Sequence, residues 1–277
     1  MNILIKDDFD LYKIINSGQC FRAVELENGC FRFIADTHVL YISHIRGMKY
    51  EVSCSRYVWN HFWKPYFDLS TSYQNLRSSI RKDDCFLAKA ADYSQGIRIL
   101  RQDPWETLVT FIISQRKSIP AIRSSVERLC AAWGHPIAGD RETLYSFPSA
   151  SVLSHLSLED LASCSLGYRA PYIKETASIL QKKPHLLKTM ALMDDQPLLE
   201  ALMELPGVGI KVASCTALFG FHRTAAAPVD VWIQRVIDQH YGGINPFPGY
   251  GKNAGILQQY LFYYAQHTKM KEDKKNP

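Results

Sequence analysis

The sequence predicts an α+β protein, in which a small twisted antiparallel β-sheet domain precedes a mainly α-helical domain. Aromatic and β-branched residues between 19 and 45 form runs of strand length around an Asn-Gly pair. Later segments are apolar at helical spacing, begin at Pro, Asp or Ser, and stop at Gly or Asn. We therefore expect a β-containing domain at 1–96, a helical domain at 97–268 and a charged tail at 269–277.

The strands come first along the chain. The runs QCFRAVEL and CFRFIA flank the turn Glu27-Asn28-Gly29, which is typical of a hairpin, and VLYISHI extends the meander. From Tyr57 the pattern becomes helical. Further helices are expected at about 104–113, 120–133, 159–164, 171–181, 197–204, 210–220, 230–240 and 253–267.

Composition excludes several classes of protein. The chain has 277 residues, 47% of them apolar and 21% charged, which is typical of a globular protein. Its apolar runs are shorter than the roughly 18 residues that a membrane span needs, and no secretion signal is recognisable at the start, so a cytoplasmic location is expected, with nucleoid association in a bacterium. The net charge of +5 allows a polyanionic partner without requiring one.

The cysteines argue against a metal or disulfide framework. All seven are scattered along the chain and none forms a C-x-x-C pair. The sequence therefore predicts reduced thiols, no iron–sulfur cluster and no metal bound by side chains.

The segment from 198 to 221 carries the chemistry. Two amphipathic helices are separated by Leu205-Pro206-Gly207-Val208-Gly209, where glycines allow a sharp turn and a close approach to another molecule. The first N–H groups of the second helix suit a phosphate oxygen. Such a hairpin can hold a nucleic-acid backbone, although a plain corner between two helices has the same sequence features.

Lys211 and Asp230 are the candidate reactive groups. Lys211 lies just inside the second helix, where the helix dipole and burial beside DNA would both favour a nucleophilic free amine. A lysine at such a place is more often a solvated surface residue. Asp230 opens a later helix, and a capping carboxylate at the mouth of a cleft can also stabilise a developing cation on a sugar.

The combination L-P-G-V-G-x-K followed by P-V-D resembles the helix-hairpin-helix DNA glycosylases, most closely the 8-oxoguanine DNA glycosylase family. The similarity extends over nearly the whole chain. It includes Asn16-Ser17-Gly18-Gln19-Cys20-Phe21-Arg22, Arg101-Gln102-Asp103-Pro104, Phe111-Ile112-Ile113-Ser114 and Leu166-Gly167-Tyr168-Arg169-Ala170.

The resemblance implies a monomeric base-excision-repair enzyme that flips an oxidised purine out of duplex DNA and cleaves the strand through a lysine Schiff base. Lys211 matches the catalytic lysine and Asp230 the carboxylate. Four further positions match the base pocket of the family. The carbonyl of Gly18 matches the group that accepts the N7–H of 8-oxoguanine. Cys215 and Phe262 match the groups that cover the two faces of the base, and Gln258 matches the amide that bonds its Watson–Crick edge.

The resemblance also places a DNA-contacting surface, with departures from the family pattern. The expected contacts are Gly207, Gly209, Arg116, Tyr168, Arg169 and Trp232, with Tyr168 as the wedge and Arg169 as a second reader of the cytosine. Gln115-Arg116-Lys117-Ser118 replaces an asparagine-rich run, Trp232 a histidine, and Ala121 an arginine that reads the orphaned cytosine, which implies weaker discrimination of the opposite base. Backbone carbonyls of Met203, Leu205 and Val208 are expected to hold a monovalent cation.

Two alternatives remain open from the sequence. The unusual segment after Ser114 favours a glycosylase for alkylated purines of the 3-methyladenine type on the same scaffold. A non-catalytic DNA-binding protein that keeps the hairpin only to hold phosphates is a further alternative.

Overall fold

The computed structural model describes residues 1–139 and 142–268, so the predicted tail at 269–277 lies outside the described residues. An antiparallel sheet forms the N-terminal part, with the strand order β1-β5-β4-β3-β2. Its strands are β1 (Asn2–Leu4), β2 (Ala23–Glu25), β3 (Cys30–Ala35), β4 (His38–Arg46) and β5 (Lys49–Val52).

The predicted hairpin is confirmed between β2 and β3. Ala23 pairs with Phe33 across the two strands. Asn28 and Gly29 adopt φ angles of 60° and 69° in the connecting turn. Asparagine and glycine tolerate this left-handed conformation better than other residues do, which explains why the pair marks the turn.

Short helices cover one face of the sheet, and the helical pattern expected from Tyr57 is confirmed. Trp63 and Phe67 are fully buried against Phe33 and Leu40 of the sheet. The helices on this face are α1 (Leu11–Ile15), α2 (Arg56–Val58), a π-helical turn at Trp59–Trp63 and α3 (Lys64–Tyr66). The next two helices, α4 (Tyr73–Ser78) and α5 (Cys85–Tyr93), pack instead into the core of the helical domain.

All the later helices that the sequence predicts are present, with bounds that differ by at most two residues. They are α6 (Pro104–Ser114), α7 (Ile119–Trp133), α9 (Leu158–Ser163), α10 (Ala170–Lys182), α12 (Asp195–Met203), α13 (Ile210–Phe219), α14 (Val231–His240) and α15 (Ala254–His267).

The sequence analysis missed several short elements. These are β1 and β5 of the sheet, a small hairpin of β6 (Pro136–Ala138) and β7 (Thr143–Tyr145), α1, α8 (Ala150–His155) and α11 (Leu186–Met190). Elements of three to six residues show too few periods of an apolar pattern to be recognised, and tertiary packing stabilises them.

A buried arginine at the start of the helical domain holds the segment that follows α3. The guanidinium of Arg98 is inaccessible to solvent and donates hydrogen bonds to the carbonyl oxygens of Phe67, Asp68 and Thr71 at 2.9, 2.6 and 2.6 Å. Beyond this junction α13 packs on α6, and α15 packs on α5 and α14. This packing places the start of α13 beside one face of α15. None of the helices in the described part of the chain combines the length and apolar character that crossing a bilayer requires.

Candidate active site

The predicted hairpin is confirmed between α12 and α13. Gly207 has a φ of +74°, and a Cβ atom there would lie 2.5 Å from the ring of Tyr172, so only glycine fits. Gly209 caps α13, and nothing lies within 4 Å of the place where its Cβ would be. The amides at the start of α13 consequently face open space that can receive an anion.

Lys211 is the second residue of α13 and is partly exposed. Its Nζ lies 3.4 Å from the hydroxyl of Ser114 and 5.0 Å from the centre of the Phe111 ring. Within the described residues, no carboxylate lies within ion-pair distance of this amine. The amine is therefore held by a neutral hydroxyl and an aromatic face, beside an open groove.

Asp230 lies across the same groove at the start of α14. Its side chain accepts a hydrogen bond from the amide of Ile233 at 2.9 Å, so the predicted capping role is confirmed. Burial raises the pKa of this carboxyl, while the cap and the positive charge of Lys211 oppose that rise. Lys211 and Asp230 line three adjoining cavities of about 50, 680 and 560 Å³.

The smallest cavity gathers the predicted base-binding residues. Gly18, Cys215, Gln258 and Phe262 line it together with Lys211 and Asp230. Cys215 is buried one helical turn after Lys211, and burial raises the pKa of its thiol, which favours the neutral form. Residues from three distant parts of the chain thus meet around one slot.

Gln258 has an unsatisfied polar atom in this slot. The side chain is only 3% exposed, and its Oε1 has no hydrogen-bond partner among the described residues. The neighbouring Gln259, by contrast, donates a hydrogen bond to the carbonyl of Ser17. A buried amide oxygen without a donor is costly, so a ligand that donated a hydrogen bond to it would be stabilised.

The slot is closed in this state. A volume of about 50 Å³ holds a few water molecules and is smaller than a purine. Phe262 rests on Gly18, since a Cβ at Gly18 would lie 3.1 Å from its ring. Gly18 has a φ of +74°, and no described residue donates a hydrogen bond to its carbonyl. The Phe262 ring therefore narrows the slot beside Gly18.

Three turns form the rim of the groove and are bonded to one another. The side-chain amide of Gln115 donates to the carbonyls of Ile112 at 3.1 Å and Gly207 at 3.0 Å. Arg169 donates to the carbonyls of Gln115 and Leu166. Sequence reasoning missed Gln115 as a connecting residue, because its partners are distant in the chain and only the folded structure reveals them.

The predicted DNA-contacting residues differ in exposure. Arg116 is exposed with a φ of +50°, and Tyr168 is 51% exposed. Arg169 is only 6% exposed, with its guanidinium 4.3 Å from the centre of the Tyr168 ring. Trp232 is half-buried and lines the largest of the three cavities around Lys211. In this state Arg169 therefore supports the rim from below and does not face the groove.

The hairpin carbonyls that were predicted to hold a cation are only partly engaged. Leu205 accepts a hydrogen bond from the amide of Val208 at 3.1 Å, whereas no described residue donates to the carbonyls of Met203 and Val208. Within 1–139 and 142–268, no group of three or more His, Cys, Asp and Glu side chains could hold a metal ion.

Two family models match the chain in succession. The N-terminal domain of 8-oxoguanine DNA glycosylase matches residues 2–108, and the HhH-GPD superfamily of base excision DNA repair proteins matches 109–254. A probable N-glycosylase/DNA lyase of Methanothermobacter thermautotrophicus is 34% identical over an alignment of 231 residues, which covers 73% of each chain.

Solved structures agree over the whole chain. MBOgg1 in complex with a low-affinity DNA ligand has a TM-score of 0.91 and 33% identity over 97% of this chain and 96% of that one. The Clostridium acetobutylicum 8-oxoguanine glycosylase/lyase, bound to DNA with cytosine opposite 8-oxoG, has a TM-score of 0.88 and 30% identity over 98% and 99%. The chain therefore belongs to the 8-oxoguanine DNA glycosylase family within the HhH-GPD superfamily.

Proposed function

We propose that the protein is a bifunctional base-excision-repair enzyme that removes 8-oxoguanine from duplex DNA and then cleaves the strand as a lyase. The observation that carries the proposal is the slot itself, a cavity lined by both Lys211 and Gln258, whose buried side-chain oxygen is unpaired. Relatives named as N-glycosylase/DNA lyases support both steps.

We assign Lys211 as the nucleophile. Its amine attacks the sugar carbon of a flipped nucleotide, the glycosidic bond breaks, and the base leaves with the bonding electrons. The amine then forms a Schiff base with the opened sugar, which permits β-elimination of the 3′ phosphate. Asp230, across the groove, stabilises the positive charge that develops on the sugar.

We assign recognition of the base to Gln258 and Gly18. The Watson–Crick edge of 8-oxoguanine carries N–H donors, which supply the partner that the Gln258 oxygen lacks. The free carbonyl of Gly18 accepts the N7–H that distinguishes 8-oxoguanine from guanine. Cys215 and Phe262 cover the two faces of the base once the Phe262 ring has moved.

Discrimination of the opposite base is expected to be weak. Ala121 has no donor for an orphaned cytosine, and Arg169 is buried under Tyr168. The exposed groups at the rim are Tyr168, which would wedge the duplex, and Arg116, which would contact a phosphate. These groups hold DNA without reading the base across from the lesion.

The hairpin fits a monovalent cation, as the resemblance implies. The carbonyls of Met203 and Val208 lie free of donors in the described chain, and hard cations prefer such oxygens. A cation held there would brace the turn that presents the amides of α13 to a phosphate. No step of the reaction is assigned to it.

Trapping with borohydride tests the proposal. The protein is incubated with duplexes that contain 8-oxoguanine or a methylated purine, opposite each of the four bases, and borohydride reduces any Schiff base to a stable adduct. We expect an adduct on the 8-oxoguanine duplex with all four opposite bases and none in Lys211→Gln.

Other outcomes would overturn it. Release of a methylated purine without an adduct would instead support an alkylpurine glycosylase, which the unusual Gln115-Arg116-Lys117-Ser118 segment favours. Duplex binding without base release from any substrate would identify a non-catalytic DNA-binding protein.

A further inference from the structure

A second groove lies on the N-terminal sheet, away from the candidate active site. It has a volume of about 590 Å³ and runs between β1 and the helical segment that contains Trp59 and Lys64. None of its lining residues lines the cavities around Lys211. β1 is one edge of the sheet, and β2, which follows the Gly18 segment, is the other edge. The two edges are about 19 Å apart, at roughly 4.8 Å per strand.

The backbone of β1 has free hydrogen-bonding groups that face outward. The amide of Val52 donates to Met1 at 2.8 Å, and the amide of Ile5 donates to Met48 at 3.0 Å. Because antiparallel pairs alternate, the intervening residues Asn2 and Leu4 direct their N–H and C=O groups away from β5. An exposed edge of this kind is a template for a further strand.

The groove is also strongly basic. Four exposed side chains, Lys6, Lys49, Arg56 and Lys64, line it, and none makes a hydrogen bond or ion pair with another described residue. The one acid in the lining, Asp7, is engaged by the amides of Tyr73 and Gln74 at 2.6 and 3.0 Å. The positive charges therefore lack a counterpart within the described chain.

Apolar side chains are exposed beside the same strand. Leu4, which lines the groove, is 60% accessible to solvent, and Met48, whose carbonyl accepts from Ile5, is 54% accessible. A nucleic-acid phosphate would gain from the cations but not from an apolar surface or an unpaired strand edge. An extended peptide gains from all three features, since its backbone pairs, its acids meet the cations and its apolar residues cover Leu4.

We infer that β1 is a docking edge for an acidic, extended segment of a partner protein. The segment adds a strand beside β1 and hydrogen-bonds to Asn2 and Leu4. The side chains of the segment alternate between its two faces. Carboxylates on one face meet Arg56 and Lys64, and apolar residues on the other face lie against Leu4. This surface is independent of the proposed catalytic function, because it shares no residue with the slot.

A synthetic peptide tests the inference. The probe is a fluorescein-labelled twelve-residue peptide of alternating glutamate and valine, and its anisotropy is measured with the full chain. We expect saturable binding that weakens about fivefold to tenfold in Lys6→Gln/Lys64→Gln. The matched control, Lys182→Gln/Lys188→Gln, removes the same charge from exposed sites on the helical domain and should bind as the wild type does.

Backbone pairing has its own readout. Hydrogen exchange at the amides of Asn2 and Leu4 should slow at saturating peptide, and Leu4→Pro, which removes one outward donor, should weaken binding about tenfold. Base release from 8-oxoguanine DNA should be unchanged in all these variants. The inference is overturned by an absence of saturable binding, by equal affinity in the Lys6/Lys64 and control variants, or by no protection of Asn2 and Leu4. Displacement of the peptide by a short single-stranded oligonucleotide would make the groove a nucleic-acid site.

Discussion

The slot and the rim of the groove are built in different ways. The slot is lined mainly by helix residues, with Lys211 and Cys215 one turn apart on α13 and Gln258 and Phe262 one turn apart on α15. The rim consists of turns that are bonded to one another through Gln115 and Arg169. Helices fix the direction of each side chain in the slot, whereas the rim depends on a few hydrogen bonds over long sequence distances.

This difference predicts where substitutions act. Changes in the slot should affect the chemical step and leave DNA binding intact, because the proposed mechanism places the reacting base among these groups. Changes in the rim should affect the binding of every duplex, damaged or not, and leave the chemical step intact.

Asp230→Asn should have the largest effect, slowing base release about 10²- to 10³-fold. Asparagine keeps the cap of α14, so DNA affinity and melting temperature should stay the same. Burial raises the pKa of the Asp230 carboxyl, so wild-type activity falls as the pH drops through a value above that of an ordinary aspartate. That acid limb should be absent from the variant's single-turnover pH profile.

Asp103→Asn is the control for this prediction. Asp103 also caps a helix, but it does not line the slot. Base release should be unchanged in this variant. If Asp230→Asn also releases the base at the wild-type rate, Asp230 is only a cap.

Gln258→Leu should separate activity from stability. It removes the acceptor for the base, so kcat/KM for 8-oxoguanine should fall about 10- to 100-fold, while loss of an unpaired buried oxygen should stabilise the fold by about 1 kcal/mol. Gln259→Leu instead breaks an existing hydrogen bond and should destabilise the fold. Chemical denaturation of both variants provides the measurement, and a destabilised Gln258→Leu would show that its amide is already satisfied.

Gly18→Ala should narrow the slot. The added Cβ meets Phe262 at 3.1 Å and strains a residue at positive φ, so kcat/KM should fall about tenfold. Gly29→Ala carries similar backbone strain, at a φ of +69° in open space, and should lower only the melting temperature. Equal activity of the two variants would contradict close contact of the base with Gly18.

Gln115→Met tests the rim. Methionine fills similar space but cannot donate to Gly207, and one such hydrogen bond is worth about 1 kcal/mol. The duplex Kd should therefore rise about fivefold, with the single-turnover rate at saturating enzyme unchanged. Gln196→Met, which replaces an exposed helix residue, serves as the control. A lower single-turnover rate would show that the rim also positions Lys211.

Arg116→Ala should have the smallest effect, weakening duplex binding about threefold for all sequences. If Arg116 contacts one phosphate, the slope of log Kd against log salt should decrease by about one. Lys183→Ala removes a charge from an exposed site on α10's C-terminal cap and should leave the slope unchanged. Sequence-dependent loss of affinity would instead indicate a base contact.

The same division explains what the sequence could predict. Lys211 with Cys215 and Gln258 with Phe262 follow a four-residue spacing, so each pair could be placed on one helix face before the fold was known. The closed state of the slot could not be predicted, since it depends on a contact between Gly18 and Phe262 across the whole chain. Likewise, the burial of Arg169 depends on the carbonyl of Gln115, which no local pattern indicates.

The contact between Phe262 and Gly18 has a consequence for the search for damage. In the proposed mechanism every nucleobase that swings out of a helix, intact or oxidised, meets the Phe262 ring beside Gly18. A base that makes few hydrogen bonds in the slot would return to the stack, whereas one bonded to Gln258 and Gly18 would stay. The enzyme would then discriminate between bases by their residence time in the slot, and not by which bases enter it.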